Sequence, residues 1–362
     1  MVAPVCTIPW AAASTWVPTT PSKFSQINNK KPEASGPLPQ SRIKRCGFFC
    51  FYRQHPKLER IRPEKPLRKA LYPIAFTMRY SLPTGSDIGN KLKQIARSQL
   101  ERALAETELA DGEKATHQIR KRGKKMRALV RLIRTTDPAS ESLYQFENAH
   151  YRSVNDLLSG SRDATSLYQA LVQQLQAEDF PQMAAYLKAR IPQATGNELF
   201  EARNLLQRGR LHIDDWKVDQ LTWKDLRRGY RKSYRRACKA LKKARKNEDD
   251  QSFHTLRKRV KDQWYHSRLL QHRYPKKIGK RCKSLNTLAG DLGDWRDLRL
   301  LCHFLARNSA NLDPEVRAEL IPLLDRAQQR LQILRKDIDR HCQQLFARKT
   351  WRKQKKWQTA VE

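Results

Sequence analysis

The chain has 362 residues, 39% of them hydrophobic and 30% charged, with 73 Lys and Arg against 36 Asp and Glu. A formal net charge of +37 says little about fold and much about partners: it calls for a polyanion such as nucleic acid, an anionic membrane or a phosphate polymer. No apolar run reaches the roughly 18 residues needed to cross a bilayer as a helix, which excludes that class.

Residues 1–77 hold eleven of the eighteen prolines and no sustained periodicity, with Ser, Asn and Thr filling "TTPSKFSQINNKKPEASGPLPQSR". A segment of this composition is expected to be disordered. Its start, "MVAPVCTIPWAAASTWV", lacks the basic region of a secretory signal and is broken by Pro4 and Pro9. Three of the seven cysteines, Cys6, Cys46 and Cys50, fall here. An odd count at irregular spacing argues against a disulfide framework and for a reducing, cytoplasmic setting. "CGFFC" with His55 is half of a zinc pattern, and no second Cys/His pair follows at a suitable distance, so neither metal nor cofactor is expected. Met78 is a candidate translation start, which would make the preceding segment an extension.

From Met78 onward apolar residues recur at three- and four-residue spacing, and no stretch alternates as a strand does. The chain is therefore read as all-α. A cap at Ser86 or Asp87 starts a long first helix. Breaks are expected at Asp137-Pro138, Phe180-Pro181, Ile191-Pro192, Tyr274-Pro275 and Asp313-Pro314. The last helix is expected from Pro314 to about residue 348, ahead of a frayed basic and aromatic tail, "RKTWRKQKKWQ".

The stretch "HQIRKRGKKMRALVRLIR", residues 117–134, carries eight Lys and Arg and no acid. It recurs as "HTLRKRVKDQWYHSRLL" from residue 254, pairing His117 with His254, Arg120 with Arg257, Lys121 with Lys258, Arg122 with Arg259, Lys124 with Lys261, and Arg131 with Arg268. An Arg-Asp pair follows each copy, ending at Asp163 and Asp297. A repeat in fixed order indicates a duplicated unit, here too long for a solenoid and suited to two helical bundles. The halves are placed at 78–220 and 221–362.

On a helical wheel, Ile119, Met126, Val130 and Ile133 share one side of the first copy, while Arg120, Lys124, Arg127, Arg131 and Arg134 share the other, with His117 at its edge. In the second copy Leu256, Val260 and Leu270 oppose Arg257, Lys261 and Arg268. A third basic helix, "DLRRGYRKSYRRACKALKKARK", lines up Arg228, Arg231, Arg235, Lys239, Lys242 and Lys246. From Arg227 to Lys283 there are 22 basic residues and 4 acids, a net of +18, whereas residues 171–226 are close to neutral. A solvated face normally mixes Glu with Lys, because like charges one turn apart repel by a few tenths of a kcal/mol each. Faces without acids are best explained by a bound anion.

These residues resemble the CHAD family, the conserved histidine α-helical domain. The likeness rests on His-x-x-Arg followed by basic-basic-x-Arg at His117, Arg120, Lys124, Lys125 and Arg127. It continues with His254, Leu256, Arg257, Lys261 and Tyr265, the helix "YRKSYRRACKAL" and the motif "LGDWRDL", and it covers roughly residues 80–345. It implies two four-helix bundles related by a pseudo-twofold axis, with basic faces lining a shared groove. It also implies binding of inorganic polyphosphate and association with polyphosphate granules. Two departures stand out: Trp264 replaces an expected Arg and Asp262 a basic residue, so the second copy is expected to make fewer contacts. The Glu-x-Glu-x-Lys signature of the CYTH-type triphosphatase often fused to this family is absent before residue 80.

The expected polyphosphate contacts are His117, Arg120, Lys121, Lys124, Arg127, Arg131, Arg134, Arg228, Arg231, Arg235, Lys242, His254, Arg257, Lys258, Lys261, Tyr265 and Arg268, since Arg forks and Lys point charges both suit phosphate oxygens. Tyr230, Tyr234 and Tyr265 are expected mainly to pack. The alternative is RNA or single-stranded DNA, with Trp351 and Trp357 stacking on bases, although the aromatics do not interleave with the main basic stripes. A third reading, phosphate transfer or metal binding at the paired histidines, is disfavoured because each lies among cations without an orienting carboxylate. No catalytic residue is expected, and Asp163 and Asp297 are read as partners for arginines.

Overall fold

The computed structural model describes residues 79–347, apart from 86, 136, 161, 192–195 and 274. The expectations for residues 1–77, for the zinc half-pattern and for the tail from residue 348 fall outside the described residues. Within them lie eleven α-helices and no strand. They are α1 (Ile88–Glu106), α2 (Gly112–Ile133), α3 (Pro138–Leu157), α4 (Arg162–Gln174), α5 (Pro181–Ala189) and α6 (Gly196–Asp214). After these come α7 (Trp223–Asn247), α8 (Asp250–Leu270), α9 (Pro275–Asn308), α10 (Pro314–Ala318) and α11 (Leu320–Phe346).

Local chemistry starts the helices where the sequence indicates. Asp87, Asp111, Asp137 and Asp249 each accept a backbone N–H near the start of α1, α2, α3 and α8, a cap contributing about 1 kcal/mol. Thr222 and Asp225 close a reciprocal capping box on α7. Proline occupies the first turn of α3, α5 and α10, where its missing N–H costs nothing. The last helix departs from expectation: α10 ends at Ala318 and α11 begins at Leu320. Pro322 is the reason, since its ring would clash with the Ala318 carbonyl and it donates no bond there.

Two apolar clusters hold the helices. One joins α1, α2, α3 and α6 with Trp216, the start of α7 and the C-terminal end of α8. The other joins α4, α5, α9, α10 and α11 with the C-terminal half of α7 and the N-terminal half of α8. Packing thus departs from chain order: α4 and α5 pack in the cluster of α9 and α11, and α7 and α8 run through both clusters. The predicted apolar stripe of α2 is buried throughout, at Ile119, Met126, Val130 and Ile133, as are Leu256, Val260 and Leu270 of α8.

Between the clusters α2 crosses α7 and α8 along a buried polar seam. His266 bridges the Ser233 hydroxyl, 2.9 Å from Nδ1, and the Ala128 carbonyl, 2.8 Å from Nε2. Gln263 donates to the Tyr230 carbonyl at 3.1 Å, and the Tyr230 and Ser267 hydroxyls lie 3.0 Å apart. This crossing places the basic faces of α2, α7 and α8 side by side.

Candidate anion-binding surface

One basic feature is a cleft of about 650 Å³ lined by Arg134, Thr135, Lys224, Arg227, Arg228, Arg231, Lys232, Arg235, Arg236 and Lys239. All but Arg134 and Thr135 come from α7, whose cationic positions project opposite the buried Leu226, Tyr230, Tyr234, Ala237 and Leu241. Arg134 is held at the rim by an ion pair with Glu141 and by stacking over Tyr144, 4.4 Å from the ring centre. Burial first, then Arg134 and Arg236, lower the Lys232 pKa; burial, then Arg259 and Arg134, lower that of Arg236. Positive charge here is held under its own repulsion, which a bound anion would relieve.

A second group sits where α2, α3 and α8 meet. Arg127 Nε and Arg131 Nη2 both donate to the Asn148 side-chain oxygen, at 3.1 and 3.2 Å. Arg131 also pairs with Asp262, which lies 3.3 Å from Arg259. Burial opposes the charge on Arg131, yet Asp262 and Tyr144 together outweigh it and hold the guanidinium above its ordinary pKa. Exposed Lys258 is depressed by desolvation and then by Arg152, Arg259, Arg296 and Arg127, so these cations from α3, α8, α9 and α2 feel one another.

The third group surrounds Trp264. Lys261 and Arg268 stand 4.7 and 5.2 Å from that ring. Burial, then Arg257 and Lys121, bring Lys261 down to about 8. Lys125, which is buried and donates to Gln99 at 3.0 Å, is brought to about 7 by burial and then by Arg122, Arg268, Lys121 and Arg102. The Trp264 face seats two cations of the second copy, an interaction contributing about 0.5–2 kcal/mol.

The expected site residues divide accordingly. Arg134, Arg228, Arg231 and Arg235 line the cleft; Arg127, Arg131 and Lys258 belong to the second group; Lys121, Arg257, Lys261 and Arg268 belong to the third. Arg120 instead donates to the carbonyls of Asn155 and Leu158 at the C-terminal end of α3, capping groups that the helix leaves open. His117, Lys124 and Lys242 are exposed and His254 half-buried, and none of them lines the cleft. Tyr265 is buried, edge-on to Tyr80 at 6.1 Å, with its hydroxyl pushed to about 12 by burial. Tyr230 and Tyr234 are buried as expected. Asp297 pairs with the adjacent Arg296 at 3.2 Å, while the Asp163 side chain lies outside the described residues.

Sequence reasoning missed Lys224, Arg227, Lys232 and Arg236 in the cleft, and Asn148, Arg152 and Arg259 in the second group. A wheel for α7 alone divides its cations between a chosen face and its flanks. Only the crossing of α2 over α7 shows that the flanking positions are open and adjacent to Arg134.

Compared with known proteins, residues 94–306 match the family model described as CHAD domain. A crystal structure of the CHAD domain from the plant Ricinus communis is similar at 16% identity and a TM-score of 0.48, covering 74% of this chain and 94% of that one. A search of curated proteins found no match.

Proposed function

Because this chain belongs to the CHAD family, we propose that it binds inorganic polyphosphate through its basic surface, as a binding module without turnover. The observation that carries the reading is the α7 cleft, in which nine of ten lining residues are Lys or Arg and none is acidic. A linear polymer with a charge on each repeating unit suits such a row, because each phosphate neutralises a local repulsion and releases condensed counterions. Arg forks supply paired donors to phosphate oxygens and Lys supplies point charges. Association with polyphosphate granules in the cytoplasm would follow from that ligand.

Competition between long-chain polyphosphate and single-stranded RNA at near-physiological salt tests the reading. Polyphosphate should displace labelled RNA at a lower concentration of phosphate units than RNA requires to displace polyphosphate. The reverse order would make the protein a nucleic-acid binder.

A further inference from the structure

The offset of 137 residues that carries His117 onto His254 also carries Lys125 onto Asp262 and Arg131 onto Arg268. These positions are counterparts in the repeat, yet they differ in charge. Arg131 of α2 faces Asp262 of α8. In the reciprocal pair Arg268 of α8 acts on Lys125 of α2, cation on cation. The duplicated crossing therefore holds one internal anion and one position without it.

Asp262 is buried with both oxygens engaged, one by Arg131 and the other by Arg259 at 3.3 Å. Its field also reaches Arg127, and Arg236 of α7 lies within the field of Arg259 and Arg131. Arg131 and Arg259 thus hold the carboxylate from two helices, with Arg127 within its field. A carboxylate offers a guanidinium a pair of accepting oxygens, as a phosphoryl group does. Asn148 holds Arg127 and Arg131 from the other side, so both would stay in place if the carboxylate withdrew.

We infer that Asp262 is a tethered anion occupying a phosphoryl subsite formed by Arg127, Arg131 and Arg259, and that an incoming polyanion must displace it. The inference rests on the polyphosphate reading and adds an internal competitor to it. Asp262 is then no mere loss of a basic contact: it keeps three cations in order while the subsite is empty and limits affinity when ligand arrives.

The test compares Asp262→Asn with Asp214→Asn, which removes the same charge from an exposed ion pair between the end of α6 and Arg97 of α1. Asp262→Asn should bind tripolyphosphate about five-fold more tightly, with a log–log salt slope steeper by roughly one, while Asp214→Asn binds as the wild type does. Equal behaviour of the two variants, or weaker binding by Asp262→Asn, overturns the inference. If the wild type binds no polyphosphate, the reading itself falls, and the subsite is then judged with inorganic phosphate. Phosphate-dependent thermal stabilisation of Asp262→Asn alone supports it, and none overturns it. Should Asp262→Asn fail to fold in buffer, refolding in tripolyphosphate should recover it better than sodium chloride of equal ionic strength. Equal recovery overturns the inference.

Discussion

At the scale of single residues, the chain uses neutral buried groups to hold its charged ones apart. His266 is fully enclosed between the Ser233 hydroxyl and the Ala128 carbonyl, and burial brings its pKa down to about 4. An imidazole that is neutral when folded but titrates near its ordinary value of about 6.5 when unfolded binds its proton more tightly in the unfolded chain. Its contribution is therefore present above about pH 6.5 and lost as pH falls towards 4. His150, depressed to about 4 by burial and then by His212, acts in the same direction. Glu147 acts in the opposite one, since burial raises its carboxyl to about 7 and its contribution declines as pH rises from about 4.5 to 7. Thermal unfolding midpoints should consequently fall between pH 6.5 and 4.5. In His266→Gln that pH dependence should be shallower by close to one proton; an unchanged slope would mean that His266 is charged in the folded protein. Nothing in the repeat marks His266, because its importance comes from the crossing of α8 on α2.

At the scale of elements, capping residues, prolines and apolar spacing placed the helix starts, because each acts within a turn or two of chain. Which helices touch was far less legible. The two copies suggested halves divided near residue 220, yet α4 and α5 pack with α9 and α11, and α7 and α8 span both clusters. Apolar stripes on separate helices do not name their partners. One local clue to a crossing was available in Gly229, a glycine in the middle of the strongly helical "LRRGYRK", which costs about 1 kcal/mol unless a close approach needs it. The close approach is present: a Cβ at Gly229 would lie 1.9 Å from the Leu132 carbonyl oxygen and 2.9 Å from its carbon. Both are backbone atoms of α2, so no rotamer relieves the clash. Gly229→Ala should destabilise by about 3 kcal/mol or more through forced separation of α2 and α7, and chemical denaturation should show it as a lower midpoint. A melt like the wild type's would mean that these helices do not meet as closely as described. Because the cleft is built on that crossing, the variant should also lose polyanion affinity before it unfolds.

At the scale of the whole molecule, the excess of cations was legible as a demand for a polyanion, but the sequence could not separate cations open to a ligand from those already engaged. The basic face read from α2 would nominate Arg120, Lys124 and Arg131 for removal. Arg120 is engaged on the α3 carbonyls and Arg131 on Asp262. Replacing them by Gln would strip a helix end and leave a buried carboxylate short of a partner, so lost binding could not be told from lost structure. Arg228, Arg231 and Arg235 are the better triple. All three line the cleft, Arg228 and Arg235 are exposed, and their helix is anchored on its other side by buried Tyr230, Tyr234 and Ala237. Their joint replacement by Gln should leave the melting temperature unchanged or slightly higher, as repulsion along α7 falls. Polyphosphate affinity should drop by more than an order of magnitude, with the log–log salt slope smaller by roughly two to three if each residue meets a phosphate. Isothermal titration at several salt concentrations measures both. Gln in place of Lys91, Lys188 and Lys336, three cations outside the cleft lining, removes the same total charge and should change affinity far less. Equal losses from the two triples would mean that overall charge, and not the cleft, sets binding. A surface governed by overall charge would bind any polyanion alike, and the α2–α7–α8 crossing would then be architecture alone.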